Sequence, residues 1–274
     1  MKTAAGIGDN CIDEYVHLGR RYPTGNVVDT GVNMHKLGIP VAIISTTGSD
    51  ENGRWMVESL TKEGLDLSHF KVAEGKTAIT YMTLDENDRV HGDYEEGVLE
   101  HIVFDDEDVR FAAQHDLVFT AFWGKAEGVM GKIHDLGAIT AFDYAASDDP
   151  RLPAMLEATR GAIDYGFFSY KGIGSRTDPE PRSFLIDMVK NYGMKVAVAT
   201  FGDQGSLAYD GVAFYEGNAV PQPNVVNTVG AGDSFIAGFL AGLLKGRNLS
   251  GCLRDGSRLA SRVVGVFEPW VIEE

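Results

Sequence analysis

"NTVGAGDSFIAGF", residues 227–239, sets two glycines and one acid directly before an apolar run of helical period. Gly230 and Gly232 flank Ala231, so no bulky side chain covers the backbone amides there. A helix opening at this point leaves its first N–H groups unpaired and carries partial positive charge at its start, which together make an anion site. Asp233 stands at that start, where the same field is expected to favour its ionised form and keep it ready to accept a proton. Two readings follow. In one, backbone donors at 230–232 hold a transferring phosphoryl group while Asp233 receives the proton of an attacking hydroxyl. In the other, Gly-Ala-Gly is a tight turn and Asp233 an N-terminal cap.

Outward from this stretch, "FIAGFLAGLL" (235–244) is the longest nearly apolar run. It is about half of what spanning a bilayer requires, so it reads as a core helix. The chain of 274 residues is long enough to bury a substantial core, and its composition is that of an ordinary globular protein. The two cysteines, Cys11 and Cys252, lie far apart and support neither a disulfide framework nor a zinc cluster, which suits a reducing compartment. "MKTAAGIGDN" meets Asp9 before an apolar stretch of signal-peptide length forms, so a cytoplasmic location is expected. A formal charge of −16 repels phosphate backbones and anionic lipids, which argues against nucleic-acid or membrane partners.

Apolar β-branched runs at 3–8, 41–46, 116–121, 138–143, 162–168 and 195–201 read as buried strands. Between them, 51–64, 105–116 and 181–193 have helical spacing with an acidic or Pro-containing start. That alternation predicts an α/β fold, a mostly parallel sheet with helices on both faces. Residues 77–98 break the rhythm by alternating apolar and polar around "DEND" (85–88), and "CIDEYVHLG" (11–19) alternates likewise. With no linker and no internal repeat, one domain over 1–274 is expected, with segments about 11–20 and 77–98 inserted as a small projecting β-sheet lid. Such a sheet has unpaired edges and one apolar face, so a homodimer through it is a further expectation.

Other chemistries find little support. There is no GxxxxGK[ST], and the near-match to a dinucleotide fingerprint, "GIGDNC" (6–11), leads into a strand-like alternation where that motif needs a helix. The seven His residues form no HxxxH or HxH pair, and a metal site built by the protein is not expected. Cys11 reads as a small apolar packing residue. Trp123 follows a strand at the carboxyl edge of the sheet, where open α/β folds bind ligands; it either lines a substituent pocket or packs in the core. His91 reads as an exposed polar position in the hairpin.

The opening stretch resembles the signature DTxGAGDxF of the ribokinase-like, or PfkB, family of carbohydrate kinases, and the resemblance runs over essentially the whole chain. It implies that Asp233 is the catalytic base and that the amides of Gly230, Ala231 and Gly232 form the anion hole. "TFGDQGS" (200–206) is similar to the family's TxGxxG, which implies Thr200, Gly202 and Gly205 near the ATP phosphates; Asn227, where the signature opens with an acid, belongs to the same cofactor side. On the sugar side it implies Asp13 as hydroxyl acceptor with Asp9 beside it, together with Gly25, Asn26 and Asp29 of "PTGNVVDTG" (23–31). Read from the residues alone, Arg89 either clamps sugar or phosphate across the cleft or lies on a solvated face of the hairpin. The segments 7–13, 88–98, 122–127 and 140–145 resemble the branch that acts on the sugar of a glycated lysine, whose protonated amine Asp9, Asp29 or Asp93 can pair.

Departures accompany the match. Thr24 replaces a glycine, Asp29 an asparagine, and the family's NxxE element is not visible in 167–182. Magnesium is then expected to be held mainly by ATP oxygens and water, with a monovalent cation possible in addition. The implied activity is ATP-dependent phosphorylation of the primary 6-hydroxyl of a fructosamine such as fructoselysine. The alternatives are a kinase for another glycated amino acid or a simple sugar such as fructose or ribose, or a catalytically silent sugar- or nucleotide-binding regulator.

Overall fold

Strands buried on both faces need helices on both sides, and that demand organises the molecule. The computed structural model describes residues 1–86 and 88–270, so Asn87 in the expected "DEND" turn lies outside the described residues. In chain order the elements begin β1 (Ala4–Ile7), β2 (Cys11–Tyr15), β3 (Arg20–Thr24), α1 (Asn26–Lys36), β4 (Val41–Gly48), α2 (Glu51–Glu63) and β5 (Phe70–Ala73). The middle holds β6 (Ile79–Asp85), β7 (Asp88–Glu95), α3 (Asp106–Ala112), β8 (Leu117–Ala121), α4 (Glu127–Asp135), β9 (Ile139–Ala146) and α5 (Leu152–Ala158). The last third holds β10 (Tyr165–Ser169), α6 (Pro179–Lys190), β11 (Val196–Thr200), β12 (Ser206–Tyr209), β13 (Phe214–Gly217), α7 (Ala231–Leu244) and α8 (Leu249–Val263).

The large sheet runs β13-β12-β11-β10-β9-β8-β1-β4-β5, parallel from β11 to β5, with β12 and β13 antiparallel at one edge. Its two faces feed two cores. Leu117 and Phe119 of β8, Val41 and Ile43 of β4, and Val196 and Val198 of β11 pack with α1, α7 and α8. Their neighbours Val118, Ala42, Ile44, Ala197 and Ala199 pack with the helices on the other face. The period of two thus fixes which helix covers which side. The expected architecture, a mostly parallel sheet between helices with a small accessory sheet, is borne out.

That accessory sheet runs β3-β2-β6-β7, with β2 parallel to β6 and the other two pairings antiparallel. Asp13 of β2, Thr80 of β6 and Tyr94 of β7 are register partners, so the three side chains form one row on one face. Between Tyr94 and His91 the β7 register shifts by one residue, a bulge at Gly92–Asp93.

Three local expectations are revised. Residues 26–36 form α1, a segment to which no element was assigned: Gly31 lets the helix lie on the sheet, since a Cβ there would fall 2.5 Å from Ile43 Cδ1. α3 is shorter than 105–116, ending at Ala112 because two tight turns then lead into β8. β8 ends at Ala121, leaving Trp123 in the loop beyond it.

Candidate active site

Two helix N-termini meet beyond the carboxyl ends of the central strands. β1 ends at Ile7, and Asp9 in the following turn accepts hydrogen bonds from the amides of Asn26 (2.8 Å) and Val27 (3.3 Å), which caps α1. Gly25 makes this approach possible: it holds φ +131°, and a Cβ there would lie 2.8 Å from Asn10 Cα. So fixed, Asn26 donates from Nδ2 to Asp233 Oδ1 at 2.9 Å, tying the start of α1 to the start of α7. Two turns further along α1, Asn33 Nδ2 reaches Ser234 Oγ at 3.2 Å.

At the start of α7 the Gly-Ala-Gly turn divides its duties. The Ala231 amide bonds Thr228 O at 3.3 Å, whereas the amides of Gly230 and Gly232 have no hydrogen-bond partner among the described residues. Gly230 needs its left-handed φ of +69° and stands against Pro269, whose carbonyl oxygen would be 2.8 Å from a Cβ. A Cβ on Gly232 would meet nothing within 4 Å, so a side chain there would point into free space. Of the three amides expected to form an anion hole, those of Gly230 and Gly232 are left without a partner among the described residues, while Ala231 closes the turn.

Asp233 is 4% exposed, and its ionisation differs from the expectation. Burial pushes the carboxyl up, and Arg89, Asn26 and its own amide pull the other way without prevailing. The helix-terminus field is real but weaker than desolvation. The shift leaves Asp233 a stronger proton acceptor than a solvated carboxylate, which suits a general base.

Around it the other acids are short of positive charge. Burial drives Asp13 up to about 7, with Arg89 and the Thr80 hydroxyl opposing. Asp9 rises to about 6 through burial, offset by its bonds to Asn26 and Val27. Asp143, at the carboxyl end of β9, rises to about 7 through burial and the neighbouring Asp233 charge. Asp29, 2% exposed within α1, is pushed well up by burial and then by Asp233; Thr24 Oγ1 donates to its Oδ2 at 2.8 Å, and Oδ1 has no partner. The cation acting on Asp13, Asp143 and Asp233 is Arg89, carried over the cluster by β7. Its amide bonds Thr228 Oγ1 at 3.2 Å, while Asp88 bonds the Thr228 hydroxyl (2.5 Å) and Lys171 Nζ (2.7 Å). His91, beside Arg89, is held down to about 4 by burial and that charge.

The nucleotide-side loop follows β11. Phe201 N donates to Gly205 O at 2.8 Å around Gly202, whose φ is +61°, and a Cβ on Gly205 would collide with Gly217 O at 2.2 Å. Gly202 is thus exposed at the tip of this turn, whereas Gly205 is buried against the Gly217 carbonyl. Lys171 lies against Gly202, its Cγ 3.5 Å from where a Cβ would be.

The structure gathers Asp13, Asn26, Arg89, Gly230, Gly232 and Asp233, with Thr200, Gly202 and Gly205 further along the edge. Three expected ligand contacts are otherwise engaged. Asp9 spends both oxygens on α1, and Asn227 is fully buried, bonding Tyr15, Phe267 and Val229. Asp93 is exposed on the outward face, where with Glu95 it raises Tyr81. The sequence reading missed Asp143, although an acid ending a parallel strand was the available signal. Trp123 is 45% exposed, so the core alternative for it is set aside. No group of three His, Cys, Asp or Glu is placed to hold a metal among the described residues.

A carbohydrate kinase is the class that this sheet edge and glycine-acid turn define, and the chain belongs to the ribokinase-like PfkB family. The description "pfkB family carbohydrate kinase" matches residues 149–269. The chain is 35% identical over 271 residues to fructoselysine 6-kinase of Escherichia coli (strain K12), covering 98% of this chain and 100% of that one. It is 28% identical over 271 residues to a fructosamine kinase of Bacillus subtilis (strain 168), covering 97% and 92%. Among solved structures, Arabidopsis thaliana ribokinase with ribose and ATP superposes with a TM-score of 0.80 at 19% identity, covering 97% and 94%. Adenosine kinase from Sinorhizobium meliloti gives 0.81 at 20% identity, covering 99% and 96%. These two likenesses concern the fold.

Proposed function

We propose that the chain transfers the γ-phosphoryl group of ATP to the primary 6-hydroxyl of a fructosamine, with fructoselysine the substrate of first choice. The observation that carries this reading is the pairing of Asp233 with two unpartnered amides at one helix start, inside a cluster of acids that Arg89 alone does not balance. A neutral hexose brings no charge to such a site. A glycated amine brings a protonated nitrogen, which favours the ionised form of every carboxylate near it. The 35% identity with a fructoselysine 6-kinase over 98% of the chain supports the same substrate class.

ATP lies along the sheet edge from the Gly202–Gly205 loop toward α7, its γ-phosphoryl on the Gly230 and Gly232 amides. Those donors are aimed before the reaction begins, so charge growing on the equatorial oxygens is met without reorganisation. Asp233, oriented by Asn26, takes the proton of the attacking hydroxyl. Asp13 accepts from sugar hydroxyls, and Arg89 supplies positive charge from above. The four-stranded sheet acts as a lid that excludes water competing for the phosphoryl group. The residues present fit a magnesium ion carried by the triphosphate and not one caged by the protein, since among the described residues no three His, Cys, Asp or Glu are placed to ligate one ion. When bound, that ion neutralises phosphate charge.

A coupled assay of ADP release over fructoselysine, fructose and ribose, with the phosphate position read by 31P–1H NMR, tests the proposal. The expected result is a kcat/KM for fructoselysine at least about 100-fold above fructose, roughly 2.7 kcal/mol of discrimination, with phosphate on C6. Equal or better turnover of fructose or ribose overturns it.

A further inference from the structure

Two large aromatic side chains stand open on the rim of the acid cluster, and nothing in the phosphoryl transfer uses them. Trp123 is 45% exposed and Tyr94 38%. They come from different parts of the molecule, Tyr94 from β7 of the small sheet and Trp123 from the loop after β8. Their ring centroids are 6.4 Å apart at 62°, a corner with one wall on each side of the cleft.

Both walls are held in place. Tyr94 ends the register row that begins at Asp13 and passes through Thr80. Its phenol is pushed up by burial and then by the fields of Cys11 and Asp9, so it faces the acids. The Trp123 loop abuts the turn after β1: a Cβ on Gly124 would lie 3.1 Å from Gly8 Cα, next to Asp9. Arg151 covers one indole face, its Cζ 4.2 Å from the ring centroid, and two bonds to Asp149 (3.0 and 2.7 Å) fix that guanidinium. Two residues past Trp123, Lys125 bonds Glu96 at 2.6 Å, tying the loop to the end of the small sheet.

Topology gives the corner a direction. The nucleotide loop leaves β11, whereas Trp123 leaves β8, three strand spacings or roughly 14 Å along the same edge. With the reacting hydroxyl at Asp233 between them, the far end of the sugar points toward β8 and β1. In a fructosamine that end carries the amine and its chain. Indole and phenol faces attract a cation through their ring quadrupoles, and their flat surfaces cover alkyl chain.

We infer that Tyr94 and Trp123 form the subsite for the alkylammonium arm of the substrate and so determine preference for a glycated amine with a long chain. This rests on the fructosamine reading above. It assigns the two residues to specificity and gives them no part in phosphoryl transfer.

The test compares two substrates, fructoselysine and 1-deoxy-1-methylamino-fructose (the rearranged adduct of glucose with methylamine), on wild type, Trp123→Ala, Tyr94→Ala and Trp123→Phe, with thermal melting of each. The expected result is that both alanine variants lower the ratio of kcat/KM values, long arm over short, at least about tenfold, and that Trp123→Phe restores most of it. The loss should appear in KM for fructoselysine, with KM for ATP little changed. A ratio unchanged in a wild-type-like melting background overturns the inference while leaving the fructosamine reading intact. Failure of the wild type to phosphorylate either adduct overturns both.

Discussion

Asp108 and Asp233 are both buried acids in the first turn of a helix, 1% and 4% exposed, yet they are provided for in opposite ways. Around Asp108 each oxygen is matched: Oδ2 takes the Asp105 amide (3.1 Å) and Lys71 Nζ (2.6 Å), and His69 Nδ1 lies 3.0 Å from Oδ1. Asp164 is similar, with Thr140 N at 3.2 Å and Lys195 at 3.0 Å. Asp233 instead has Asn26 and its own amide, and stands among Asp9, Asp13, Asp29 and Asp143, sharing Arg89 as counter-charge with Asp13 and Asp143. A structural acid is neutralised where it stands. An acid kept for chemistry is left short of charge, so that a ligand completes it.

Substituting the two residues is the strongest way to break this comparison. Asp233→Asn is expected to lower kcat by about 10² to 10⁴, the usual contribution of a general base, and to melt no lower than wild type because it relieves an uncompensated buried charge. Thermal-shift binding of a nonhydrolysable ATP analogue should persist. Asp108→Asn should do the reverse, keeping kcat within about twofold while losing about 1–3 kcal/mol of stability, since Lys71 and His69 lose their partner. Normal turnover by Asp233→Asn would end the base assignment.

The glycines beside the acid sharpen the same contrast at smaller amplitude. Gly232→Ala adds a methyl to open space inside the first turn of α7, where alanine is the better helix former by about 0.5–1 kcal/mol. The variant should melt slightly higher yet lose about tenfold in kcat/KM for ATP, because the methyl occupies the place proposed for the phosphoryl group; an unaltered value would remove this amide from the anion hole. Gly230→Ala should fail differently. Its φ of +69° and the Pro269 carbonyl at 2.8 Å from a Cβ make it destabilising by about 1–2 kcal/mol or more.

Which parts were legible follows from what each signal depends on. The central strands of the large sheet and α7 were readable because period, glycine and acid are local in sequence, whereas the edge strands β5, β12 and β13, four residues each, were not read. α1 was not: Val27, Val28 and Val32 are β-branched, poor helix formers in isolation, and the segment is helical because Gly31 and Asp9 dock it on the sheet. Asp93 was expected near the substrate amine, and the strand's alternation alone does not reveal why it is not. From Arg89 and His91, alternation by two puts Asp93 on the inner face, but the bulge at Gly92–Asp93 reverses the count and delivers Tyr94 there instead. The ionisation of Asp233 was beyond local reading, because a sequence announces a helix start but not the depth at which it is buried.

That depth has a consequence for the whole fold, the smallest expected effect. Asp9, Asp13 and Asp143 titrate near 6 to 7 in the folded state against an ordinary value of 3.8. Between about pH 4 and 7 the native chain therefore holds protons that the unfolded chain has released, so stability falls as pH rises through this window. Acids held low by partners, such as Asp105 at about 2, act in the opposite sense but only below about pH 4. The ligand-free protein should thus melt about 2 °C or more lower at pH 7.5 than at pH 5.5, the effect of roughly 1 kcal/mol on a chain of this size. Turnover should move the other way, because Asp233 must be ionised to accept a proton. Asp143→Asn should flatten the melting difference and Asp108→Asn should leave it, since Asp108 already has its counter-charge. Melting temperatures that rise between pH 5.5 and 7.5 would mean that the acids at the mouth of α7 are as well compensated as Asp108, and the contrast between the two regions would go with them.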